Sequence, residues 1–202
     1  MKKHTRQLYL DSKKLLGLLA KANANTGFDS AIRSVFGSEL RPKQQVEIGG
    51  RHFLYAGSAK NLVAFLPIQW RDELDKMGIV WKGCERWWAG YPMILLAEMR
   101  VSEDGISGYL RLNAEVGPAS SHEVRKGMIE AIKTAAVASN LDRIQFQPDA
   151  AETGRLYSRF LRRNVIPLND ITNSGEIQAQ LKMLVSDFDP ELELVATVLG
   201  KR

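Results

Sequence analysis

Four arginines crowd one short stretch of this chain, Arg155, Arg159, Arg162 and Arg163, with Tyr157 and Phe160 between them. Guanidinium is a planar fork of donors that fits phosphate and carboxylate. No acidic residue falls between Arg155 and Asn164. On a helix Arg155, Arg159 and Arg162 stand at i, i+4 and i+7 and form one stripe. Leu156 and Phe160 would then anchor the helix to a core. Two roles fit such a stripe: contact with phosphate or an acidic partner, or a solvated face neutralised by a distant carboxylate. A second cluster holds Trp81, Trp87 and Trp88 interleaved with Lys82 and Arg86. Tryptophan beside a cation stacks bases, anchors a protein interface or fills a core. Trp87 and Trp88 are adjacent, so extended chain points them opposite ways, one inward and one partly exposed. The binding candidates are Arg155, Arg159, Arg162, Arg163, Trp87 and Trp88.

Catalytic chemistry has weaker support. A divalent metal needs hard oxygen ligands, usually carboxylates on neighbouring strands. Glu98 and Glu115 are the alternative catalytic pair, as in a divergent metal-dependent nuclease of the PD-(D/E)XK type. The nearest match to its E-x-K strand is Glu98-Met99-Arg100, and arginine cannot give up its proton where lysine helps to activate water. A cross-strand charge ladder among Glu98, Arg100, Arg111 and Glu115 accounts for the same residues. There is no G-x-x-x-x-G-K-[ST], no G-x-G-x-x-G opening a helix and no G-x-S-x-G. His4, His52 and His122 have no ligand or triad spacing. Cys84 is the single cysteine, which excludes an intrachain disulfide and a thiolate metal cage. Lys82 and Arg86 would lower its pKa, but a lone cysteine most often packs as a small hydrophobe. The expectation is a protein without cofactor or metal that binds and does not catalyse.

The chain that must position these residues is 202 long, 45% apolar and 25% charged, with a formal net charge of +5 and a pI near 9.3. Those values predict a folded core and a mild preference for polyanions. The N-terminal leucines are interrupted by Lys13, Lys14 and Lys21, so they make no secretory h-region, and no stretch is long enough to span a membrane. The chain reads as cytoplasmic.

Helices are expected from Asp11 to about Asn23 and over "FDSAIRSVFG". Gly49-Gly50 joins two strand-like runs, "NLVAFLPI" is a buried strand, and "QWRDELDKMG" is a short helix closed by Gly78. Met93 to Val116 alternates as a hairpin about "SEDGISG". Leu110, Leu112, Ala114 and Val116 point to the core, while Tyr109, Arg111, Asn113 and Glu115 face water. Ser120 and Glu123 form a capping box before a helix with Val124, Met128, Ile132 and Ala135 inward. A strand over "LDRIQFQ" precedes the arginine helix, which Asp149 would start. A helix capped by Ser174, with Ile177, Leu181, Leu184 and Val185 inward, and a last helix with Pro190 in its first turn follow. The fold class is α+β: a mostly antiparallel sheet packed with helices and an N-terminal helical pair. A loose division near residue 90 separates an N-terminal part, 1–90, from 91–202, unless the chain forms one compact domain.

From Glu98 onward the order is "GYLRLNAEVGP", "HEVRKGMIEAI", "YSRFLRRNVIPLND" and "EIQAQLKMLVSDFDPELELVATVL". This order resembles the region that follows the nuclease core in some large PD-(D/E)XK proteins of restriction and phage defence. The resemblance covers roughly half of the chain and carries no catalytic residue. It implies an accessory or binding module of a bacterial or phage defence or counter-defence system, whose partner is nucleic acid or a protein of a defence complex; besides the nuclease, the other alternative is a protein-binding inhibitor or structural subunit that docks through the tryptophan segment.

Overall fold

The computed structural model describes residues 26–84, 89–119 and 121–201. The helix expected at Asp11–Asn23 lies outside these residues, as do Trp87, Trp88 and Ser120. Among the described residues the fold is α+β, a seven-stranded antiparallel sheet with five helices. None of the helices is long and apolar enough to cross a membrane.

Phe28, Ala31, Ile32 and Phe36 recur at helical spacing and form the buried side of α1 (Phe28–Phe36). β1 (Gln45–Ile48) and β2 (Arg51–Ala59) then pair through Gly49-Gly50. Both glycines have positive φ, +61° and +81°, which suits a tight hairpin. A Cβ on Gly49 would also strike the Ser186 hydroxyl. β3 (Leu62–Pro67) returns beside β2 and leads into α2 (Ile68–Lys76). β3 also pairs β4 (Met93–Val101), so one sheet runs through the expected division near residue 90. β4 and β5 (Gly108–Val116) form the long hairpin, in register from Met93↔Val116 to Val101↔Gly108.

The registers line up Tyr55, Phe65, Leu95 and Ala114 in one row across the sheet. Phe36 of α1 meets that row, with ring centroids 5.5 Å from Tyr55 and 5.4 Å from Phe65. α3 (His122–Ala138), α4 (Ser174–Asp187) and α5 (Asp189–Gly200) complete the core; α1 packs on α4, and α5 on α2 and α3. Trp70 is fully buried between α2 and α5, where its indole N–H donates to the Leu192 carbonyl at 2.9 Å. Ile177, Leu181, Leu184 and Val185 are all buried. The helix caps sit one residue from their expected places. Ser121 accepts from the Val124 N–H, and Asn173, not Ser174, accepts from the Glu176 N–H. Cys84 is buried, and its thiol donates to the Pro118 carbonyl at 3.2 Å, which fits a structural role.

Two expectations fail near the arginines. Residues 149–164 are not a helix. Turns lead into a two-residue strand, β6 (Ser158–Arg159), paired with Glu115 and Val116 of β5. After a bulge, β7 (Val165–Leu168) pairs with the other end of β5. The outer edge of β5 offers the backbone a ladder, and the Phe160 N–H takes the Ala114 carbonyl at 3.0 Å. Phe160 is buried as expected, but Leu156, read as its companion anchor, is 55% exposed. "LDRIQFQ" makes only an isolated bridge, Ile144↔Leu161. The second failure follows from the first. Because β6 and the bulge close over this end of β5, Asn113 and Glu115 are 4% and 6% exposed and not on a wet face.

A candidate anion-binding cleft

β5 sets the floor. Arg111, Asn113 and Glu115 alternate onto one face because strand side chains repeat every second residue. Register puts Arg159 of β6 opposite Glu115, and the two pair at 2.9 Å. The preceding turns carry Arg155, which pairs with Asp149. The bulge then opposes Phe160–Asn164 to Leu112–Ala114, with the Leu112 N–H on the Asn164 carbonyl at 2.9 Å. Its extra residues swing out to residues 143–145, where the Arg162 N–H donates to the Arg143 carbonyl at 2.8 Å. Arg163 completes the reversal at φ +49°, a left-handed conformation.

The outcome is a cleft of about 700 Å³ whose wall includes Arg111, Arg155, Arg159 and Arg162. Three of the four predicted arginines therefore meet, although on a broken strand. The fourth, Arg163, is drawn off to Asp142 and does not line the cleft. Among the described residues Arg111 and Arg162 make no ion pair. Arg111 lies over the Tyr109 ring, 5.4 Å from its centroid, and Arg162 donates to the Leu161 carbonyl at 3.0 Å. Four guanidinium groups thus face two carboxylates, Glu115 and Asp149.

A fifth cation lies beneath them. Arg125 of α3 is 3% exposed, and its partners among the described residues are neutral: the Gly117 carbonyl at 3.1 Å, the Ala150 carbonyl at 2.8 Å, the Ser158 hydroxyl at 2.6 Å and the Val116 carbonyl at 3.5 Å. Burial lowers its pKa most, the nearby Arg155 lowers it further, and Glu115 acts the other way. Guanidinium stays protonated even so, which leaves a buried positive charge behind the cleft wall. Arg125 was missed in the sequence. The signal was its register with Met128, Ile129, Ile132 and Ala136, an arginine inside the apolar stripe of α3.

The amides in the wall are fixed by an ordered relay. The Leu112 carbonyl can only accept, so Asn164 turns its Nδ2 toward it. The same Nδ2 donates to Asn113 Oδ1 at 3.1 Å. That leaves Asn113 Nδ2 as a buried donor without a partner, on a residue lining the cleft. Such a donor costs about 1–3 kcal/mol when unmet.

Glu98 and Glu115 share a face but do not meet. Glu98 stands opposite Arg111 and Glu115 opposite Ile94. Four strand positions separate them, about 13 Å at ~3.3 Å per residue. Glu98 pairs with Arg100 two residues along the same strand, and Glu115 takes Arg159 of β6, so the expected cross-strand ladder between β4 and β5 has no ion pair among the described residues. No group of three or more His, Cys, Asp or Glu among the described residues could hold a metal ion. The chain matches no protein-family model, no curated protein and no solved structure.

Proposed function

We propose that this protein is a non-enzymatic, nucleic-acid-associated accessory protein that holds backbone phosphate in the arginine cleft. The observation that carries this reading is the convergence of four guanidinium groups on one cleft, two of them without a carboxylate partner among the described residues. Arg125 adds a buried positive charge that an anion would offset. The net charge of +5 favours encounter with a polyanion. The resemblance of the C-terminal half to a region of restriction and phage-defence proteins supports a setting in defence or counter-defence.

The experiment is a binding titration with labelled oligonucleotides at several salt concentrations, using wild type and Arg111→Gln/Arg162→Gln. Neither residue is in an ion pair among the described residues, so the change breaks no ion pair there. Loss of two phosphate contacts should lower the slope of log affinity against log salt by about 1.4 to 1.8. An unchanged slope and affinity would refute phosphate contact at this cleft. So would a protein that binds no nucleic acid and instead purifies with a stoichiometric acidic protein.

A further inference from the structure

β5 carries a second cleft toward its other end. Its volume is about 560 Å³, and Lys60, Glu98, Arg100, Tyr109 and Arg111 are in its wall. Register places Arg100 opposite Tyr109 and Glu98 opposite Arg111, so these side chains share the face that carries Asn113 and Glu115. Lys60 sits in the tight turn between β2 and β3 and makes no ion pair among the described residues. Arg111 belongs to both clefts. The two are therefore ends of one path along β5. From Tyr109 to Glu115 that path spans six strand positions, about 20 Å.

Of the cations in the two cleft walls, Lys60, Arg111 and Arg162 make no ion pair among the described residues, and they mark its two ends and its middle. A tyrosine lies in each cleft: Tyr109 in the second, and Tyr157, 51% exposed, in the first. Aromatic rings on a sheet face stack unpaired bases, whereas a duplex keeps its base faces inside its own stack. Each cleft has the size of a small-molecule site, about 300–1,000 Å³, which suits a single nucleotide.

We infer that one nucleic-acid strand runs along the outer face of β5, its phosphates on Lys60, Arg111 and Arg162 and its bases against Tyr109 and Tyr157. This rests on the phosphate-binding reading above and adds the form of the ligand and its direction across the sheet. The length matches the short end, about four nucleotides, of single-strand site sizes.

The test is fluorescence anisotropy with single strands of about four and about twelve nucleotides and a duplex of the longer sequence. Wild type is compared with Lys60→Gln/Arg100→Gln, and a thermal melt of each confirms folding. Wild type should bind the longer strand at least about tenfold more tightly than the duplex. It should also gain affinity from the shorter to the longer strand. The double variant removes one of the three assigned phosphate contacts, Lys60, and should lose most of that gain and about 0.7 from its salt slope. Equal affinity for duplex and single strand, or a gain that survives in the double variant, overturns the path while leaving phosphate binding at the first cleft standing. No binding of any nucleic acid by wild type overturns both.

Discussion

Replacing Arg143 with alanine should be among the most damaging single changes in this fold. Arg143 Nε donates to Glu191 Oε1 at 2.7 Å and Nη2 to Oε2 at 2.8 Å, a two-pronged pair. Nη2 also reaches the Asp187 carbonyl at 2.6 Å, and the guanidinium lies 4.1 Å from the Phe188 ring centroid. Glu191 is 2% exposed. Removing one partner of a buried pair leaves the other charge without compensation, at a cost of about 3–5 kcal/mol. Arg143 is itself partly solvated, so the lower end applies, about 3 kcal/mol. With a urea slope of about 1–3 kcal/mol per molar, the midpoint should fall by about 1–3 M.

The decisive comparison adds Glu191→Gln to Arg143→Ala. Most of the penalty is attributed to an uncompensated carboxylate, so neutralising it should recover about 1–2 kcal/mol in the alanine background. The same substitution in wild type should destabilise, because it weakens the fork. A loss below about 1 kcal/mol for Arg143→Ala, or no recovery on adding Glu191→Gln, would refute the account.

Burial, then the hydrogen bond to Asp75 and that residue's charge, push the Tyr91 phenol up to about 12 from 10.0. A folded pKa above the unfolded one means that this contact stabilises below about pH 10 and is lost as pH rises through 12; the difference in phenolate absorbance between wild type and Tyr91→Phe should therefore titrate near 12. The Arg155 hydrogen bond holds the Asp149 carboxyl below its ordinary value, so its stabilising effect is present above that value and lost on acidification. Arg155→Gln should move the Asp149 carboxyl resonance back toward ordinary titration. Trp70→Phe removes the bond to the Leu192 carbonyl inside the core and should cost about 1–3 kcal/mol by urea denaturation. At Arg163, where φ is +49°, Gly should be more stable than Val by about 1–2 kcal/mol; on a helix Gly would be the worse of the two, so the sign of that difference tests the bulge.

The sheet was legible because its signals were local. Gly49-Gly50, the alternation of Leu110 to Val116 and the apolar spacing of Ile177 to Val185 each name an element without help from distant chain. Residues 149–164 were not legible because their signal is ambiguous. Leu156 with Phe160, and Tyr157 with Leu161, have the spacing of a helical face, and only the vacant edge of β5 makes extended chain the better solution. That edge is a property of the hairpin some forty residues earlier, not of the arginine segment. Tertiary pairing overrides local periodicity in such cases. The burial of Glu115 and Asn113 was hidden for the same reason, since alternation alone cannot say what will dock on a polar face.

The arginine stripe nevertheless survived the wrong secondary structure, and parity explains why. Residues four apart are neighbours on a helix and share a face in regular extended chain; Arg155, carried by the turns before β6, still reaches the same cleft wall as Arg159. Arg162 is seven from Arg155, co-facial on a helix but opposed in a regular strand. The bulge shifts that phase and returns Arg162 to the cleft, and the left-handed turn at Arg163 sends the fourth arginine to Asp142 instead. Irregular backbone thus determines which arginines meet. Arg111 from β5 and Arg125 beneath Ser158 come from elements that no spacing rule within the arginine segment could reach. A charged site built this way is held by strand pairing and a buried core on its far side, which keeps its donors in place before any ligand arrives.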